Sequence, residues 1–103
     1  MTTFFVSRHP GAIEWARRQK QVVDQFVPHL DPAQIQAGDT VIGSLPVSLA
    51  AQACAAGATY WHLSLALPAE LRGQELTADD LERLGARLES FEIRATPLCD
   101  DLQ

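Results

Sequence analysis

Twice in the first half of the chain an apolar, strand-like run stops at a tight turn and a helical pattern takes over. Residues 2–7 (Thr-Thr-Phe-Phe-Val-Ser) are types that favour a pleated, buried environment. They lead into Arg8-His9-Pro10-Gly11 and a helix predicted over 10–20, with Pro10 at the first helical position, where its missing N–H costs nothing. Residues 40–42 (Thr-Val-Ile) lead in the same way into Gly43-Ser44-Leu45-Pro46 and an alanine-rich helix over 47–56, closed by Gly57. Strands joined through helices pair in parallel, so this pattern implies a mostly parallel sheet with helices on both faces. Such sheets take ligands at the carboxyl ends of their strands. Here those ends are Ser7-Arg8-His9, Gly43-Ser44-Leu45 and Ser64.

The remaining elements complete an α/β domain. A second strand is expected over 23–27, although Pro28 interrupts an apolar pattern that also fits a helix. Residues 59–65 form the next strand, with Tyr60, His62 and Ser64 on one face and Trp61, Leu63 and Leu65 on the other. The last helix starts at Thr77, with Asp80 completing an acidic capping box and Leu76 stapling to Leu81. Leu81, Leu84 and Leu88 recur at helical spacing, and residues 91–97 read as a final edge strand before a loose tail. Ile13 and Ala16 line the inward face of the first helix, and Trp61 reads as core. All 103 residues are expected to form one domain.

Charge and composition narrow the function classes. A formal net charge of −5 argues against binding duplex DNA, which depends on many lysine and arginine contacts to phosphate. The charge is uneven: residues 1–69 balance four bases against four acids, whereas 70–103 carry nine acids and four arginines. A local anion site in the first part is compatible with the acidic total. No apolar run reaches the length of a membrane span and no leader pattern opens the chain, so a cytoplasmic location is the expectation. Cys54 and Cys99 have no metal-ligand spacing, and Cys54 fits a buried thiol. Neither a Rossmann glycine fingerprint nor a Walker loop is present.

Arg8 offers a rigid fork of donors for phosphate, His9 can exchange a proton near neutral pH, and the helix behind them presents free N–H groups. The same residues also fit a solvated arginine and a polar turn residue. Ser44 and its neighbouring N–H groups could hold a second phosphate oxygen, or merely satisfy their own turn. His62 reads as a core or interface histidine as readily as a ligand contact, and His29 as structural. Trp15 either stacks on a base or anchors its helix.

The run from Thr3 through Arg8-His9-Pro10-Gly11-Ala12-Ile13-Glu14-Trp15 to Ala16 resembles the opening of a small CRISPR-associated family, the Csx group numbered sixteen of the VVA1548 type. The stretches Val27-Pro28-His29-Leu30-Asp31, Gly38-Asp39-Thr40-Val41-Ile42-Gly43-Ser44-Leu45-Pro46 and His62-Leu63-Ser64-Leu65 resemble the same family. The resemblance implies a Rossmann-like, CARF-related three-layer domain acting as a ring nuclease in type III CRISPR systems. Its substrate would be cyclic tetra-adenylate, cut by attack of a ribose 2′-hydroxyl on the adjacent phosphate, with no cofactor or metal. It implies Arg8, His9 and Ser44 as the catalytic set. Ser7, Gly11, Trp15, Arg17, Gly43, Leu45, Pro46, His62 and Ser64 are the expected substrate-binding residues. Arg17, Arg18 and Lys20 would rim the outer phosphates, unless they form a plain solvated face. A C2 homodimer would suit the symmetry of the ring. The rival readings are a module that binds a cyclic oligonucleotide without cutting it, and an interaction subunit using the acidic helix that starts at Thr77.

Overall fold

The computed structural model describes residues 1–96. Five strands form one sheet: β1 (Thr3–Val6), β2 (Gln25–Val27), β3 (Thr40–Gly43), β4 (Thr59–Ser64) and β5 (Arg87–Phe91). Three helices accompany them: α1 (Pro10–Arg18), α2 (Val47–Ala55) and α3 (Ala78–Arg83), with single 3-10 turns at Pro32–Gln34 and Ala69–Leu71. The spatial order is β2-β1-β3-β4-β5, parallel throughout except for β5, which runs antiparallel to β4. The expected three-layer α/β arrangement is therefore present.

Strand alternation divides the core in two. Phe4, Val41 and Tyr60 pack on one face with Ala50 and Ala53 of α2. Phe5, Ile42 and Leu63 pack on the other with Trp15 and Ala16 of α1 and Leu81 of α3. Alanines on α2 let its backbone sit close to the sheet. Tyr60, Phe5, Ile42 and Val41 are the largest fully buried side chains; burying a large apolar side chain contributes about 1.5–3 kcal/mol.

α1 ends two residues before the expected boundary at Lys20, which adopts a left-handed φ of 55°. The capping box at the start of α3 is complete: Asp80 N–H donates to Thr77 Oγ1 (3.1 Å) and Thr77 N–H donates to Asp80 Oδ2 (3.0 Å). The helix itself is shorter than its leucine spacing implies. Gly85, at φ 75°, turns the chain back, so Leu88 lies on β5 opposite Leu63 and not on α3. The expected strand over 91–97 is displaced for the same reason: β5 ends at Phe91, and Pro97 lies outside the described residues, as does Cys99. Trp61 is 36% exposed and not core, because its stretch of the sheet lies beyond the cover of the six-residue α3. Cys54 is half-buried, and its Sγ accepts a hydrogen bond from Ile93 N–H (3.5 Å).

Asp39, the one buried charged residue described, ties the entry to β3 to the start of the chain. Its carboxylate accepts from Thr2 N–H and Gln36 N–H, both at 2.9 Å. The bond from Gln36, then that from Thr2, hold this carboxyl below the usual range despite burial. Asp80 is held low likewise, mainly by the Thr77 backbone and hydroxyl. Both groups contribute stability that is present above the unfolded carboxylate pKa, about 3.9, and lost as pH falls through their lower folded values. Urea midpoints measured across acid pH are expected to stay level above about pH 5 and drop below about pH 4, with a shallower drop in Asp39→Asn.

Candidate functional site

The carboxyl ends of β1, β2 and β3 open into a cavity of about 580 Å³. Small-ligand sites span about 300–1,000 Å³, and they favour the point where a parallel sheet reverses its winding. Here β1 and β3 are neighbours, and their helices leave to opposite faces. The turn after β1 brings Ser7, Arg8 and His9 to the rim, and the turn after β3 brings Gly43, Ser44, Leu45 and Pro46. Beneath them the floor is apolar, formed by Leu49, Leu63, Leu65, Leu76 and Leu81. A polar rim over an apolar floor suits a ligand with both phosphate and a flat apolar body.

Each rim residue is held locally. His9 is the N-cap residue of α1; its backbone N–H donates to Ser7 Oγ (3.1 Å), and its carbonyl accepts from Ala12 and Ile13. Arg8 is exposed and forms no salt bridge among the described residues, so its guanidinium is available to an anion. Arg18 is committed instead: it bonds Asp79 at 2.6 Å and approaches Glu82 and Glu14, locking α1 to α3.

The turn after β3 is braced from beneath. The Tyr60 hydroxyl accepts from Leu45 N–H (3.0 Å) and donates to the Gly43 carbonyl (3.1 Å), with His62 Nδ1 at 2.6 Å. Burial pushes the Tyr60 hydroxyl above its ordinary pKa, against the pull of the bond from Leu45, so it remains a donor through the neutral range. Ser44 Oγ donates to the Leu63 carbonyl (3.1 Å). Both N–H of Leu45 and O–H of Ser44 are thus occupied. The free donors of this turn are the first backbone N–H groups of α2, whose N-cap Pro46 supplies no side-chain cap. Such N–H groups and the helix dipole favour an anion. Ser44 contacts one only by rotating its hydroxyl away from Leu63.

A family model matches residues 4–94, and it is that of the CRISPR-associated proteins Cas_VVA1548. The chain belongs to this family. The Cas_VVA1548 match takes in the whole cavity rim and, but for Thr3 at the start of β1, both strand–turn–helix units and all five strands. No curated protein and no solved structure matches the chain.

Five of the residues expected to bind substrate lie outside the cavity lining of this Cas_VVA1548 member. Trp15 is 3% exposed and packs in the core with Phe5 and Ile42. Arg17 stacks over the Phe26 ring, 5.3 Å from its centroid, at the end of α1 remote from the cavity. His62 is half-buried, edge-on to Phe91, and braces the β3 turn through Tyr60. Ser64 pairs across to Arg87 on β5. Gly11 lies where the α1 backbone meets that of Leu76: a β-carbon there would stand 1.9 Å from the Leu76 carbonyl oxygen. Conversely, His29 lies on the lining, although its sequence setting reads as structural. Its signal is its place two residues beyond β2, at the same sheet end as Arg8 and Ser44. Gln74 and Glu75 gave no signal; the connection between β4 and α3 folds back to the rim, where His9 Nδ1 stands 3.3 Å from Glu75 Oε1. No group of three or more metal-ligating side chains is assembled among the described residues, and no helix there is long and apolar enough to cross a membrane.

Proposed function

We propose that this protein is a CARF-related ring nuclease that lowers type III CRISPR signalling by cutting cyclic tetra-adenylate. The observation that supports it best is the convergence of Arg8, His9, Ser44 and the uncapped start of α2 on one cavity with an apolar floor. In the proposed reaction a ribose 2′-oxygen attacks the adjacent phosphorus. The P–O2′ bond forms, the P–O5′ bond breaks, the 2′ proton passes to His9 and the departing 5′ oxygen takes a proton from water. Two such cuts give linear di-adenylate ending in a 2′,3′-cyclic phosphate. The nucleophile belongs to the substrate, so the protein's work is alignment and stabilisation of charge. Arg8 and the α2 N–H groups meet the phosphate, His9 handles the proton, and the leucine floor receives a base.

One cavity of about 580 Å³ is small for four nucleotides. Two protomers related by a two-fold axis would offer each rim twice to a symmetric ring. The test is incubation of purified protein with labelled cyclic tetra-adenylate in EDTA, followed by chromatography, with light scattering on the same samples. Conversion to cyclic-phosphate-ended di-adenylate by a dimer is the expected result. Ligand that stays intact but comigrates with the protein replaces the enzyme by a sensor or sponge, and intact unbound ligand removes both.

A further inference from the structure

We infer that Glu75 is the positioning residue for His9, holding its ring as the Nδ1–H tautomer with Nε2 left to act in the cavity. The role assigned to Nε2 rests on the ring-nuclease reading. Glu75 and His9 are 66 positions apart, yet both carboxylate oxygens face the same ring nitrogen, at 3.3 and 3.4 Å from Nδ1. An ionised carboxylate has only acceptors, so the contact is a hydrogen bond only when Nδ1 carries the proton. Nε2 has no partner among the described residues, and His9 lines the cavity. A histidine side chain free in water favours the opposite tautomer, with the proton on Nε2, which would leave no lone pair to accept a proton on that side.

The pair is exposed, His9 at 65% and Glu75 at 63%, so it adds little to stability. Its effect is on proton placement, and that depends on how well Glu75 is held. The backbone on its far side is anchored twice. The Leu76 carbonyl packs directly on Gly11, at the first turn of α1, and Thr77 N–H is closed into the α3 capping box. On its near side, Gln74 N–H donates to the Leu71 carbonyl and the Gln74 side chain donates to the Glu70 carbonyl. His9 is fixed too, through its backbone bond to Ser7. A carboxylate that orients an imidazole through Nδ1–H is the arrangement by which other general bases are kept in the right tautomer.

The test is nitrogen-15 NMR of the neutral His9 ring in the ligand-free protein, in wild type, Glu75→Ala and Glu75→Asp. A protonated Nδ1 in wild type, a shift toward Nε2–H in Glu75→Ala, and at least partial return in Glu75→Asp are expected. A ring already in the Nε2–H form in wild type, or one unmoved by Glu75→Ala, overturns the assignment. In single-turnover cleavage of cyclic tetra-adenylate, Glu75→Ala is expected to be slower by about 10–100-fold, taking the range known for carboxylates that orient metal-bound histidines as the guide, with ligand affinity unchanged. Equal rates overturn the positioning role even if the tautomer moves. If wild type cuts nothing, the ring-nuclease reading fails while the NMR result still decides whether Glu75 sets the tautomer.

Discussion

His9→Ala is expected to slow single-turnover cleavage of cyclic tetra-adenylate by about 100- to 10,000-fold, the usual worth of a positioned acid or base. Affinity for the ring should change much less, because Arg8 stays on the cavity rim and the start of α2 stays uncapped beside it. Arg8→Ala is the informative contrast: it removes the free guanidinium at the rim and should weaken binding as well as rate. Filter binding alongside quenched-flow cleavage separates the two. Full-speed cleavage by His9→Ala would remove His9 from the chemistry and move attention to His29, the other histidine on the lining. The fold should survive both changes, since Arg8 and His9 are exposed and no core packing depends on them.

Gly11→Ala carries the largest expected cost in stability. Its β-carbon would stand 1.9 Å from the Leu76 carbonyl oxygen and 2.9 Å from the Leu76 carbonyl carbon, both backbone atoms that no rotamer change can move aside. Forcing the first turn of α1 away from the connection before α3 should cost about 3 kcal/mol, the upper end of the usual overpacking range. For a domain near 100 residues that corresponds to a fall in Tm of about 12–24 °C. Gly73→Ala is the control: nothing lies within 4 Å of its β-carbon, so only its left-handed φ of 82° is penalised, about 1–2 kcal/mol. Equal melting temperatures for Gly11→Ala and wild type would show that the two backbones do not meet as described. On the proposed cleavage of cyclic tetra-adenylate, Gly11→Ala should also lose rate, because Glu75 is held one residue from the contact.

The sheet, its two faces and the turns after β1 and β3 were legible because each rests on local chemistry. Phe4 and Phe5 alternate, Pro10 starts a helix, and Thr77 with Asp80 spells out a cap. The last third was less legible where two patterns overlap. Leu81, Leu84 and Leu88 satisfy a helical period, yet Leu88 also serves a strand, and Gly85 decides between them. Trp61 followed the strand alternation correctly but not the burial, because burial depends on how far α3 extends, which periodicity overstates. At the site, Arg8, His9 and Ser44 could be found from the strand-end rule alone. Gly11, Trp15 and Arg17 lie in the same run of sequence, but a helix turns them toward Leu76, the core and Phe26. Glu75 could not be found, since only the long return from β4 brings it to His9.

The two outer strands of the sheet bear on how copies of this protein can meet. β2 is three residues long and is followed by Pro28, which has no N–H to offer a neighbour. β5 carries Arg87 and Glu89, and past Phe91 the chain turns to put Ile93 N–H on Cys54 of α2. Short, charged or proline-bordered edges resist strand addition and the aggregation that follows from it. Growth of the sheet sideways into a larger one is therefore disfavoured at both ends. The two-protomer arrangement proposed for capturing a ring therefore has to draw on surfaces other than the sheet edges.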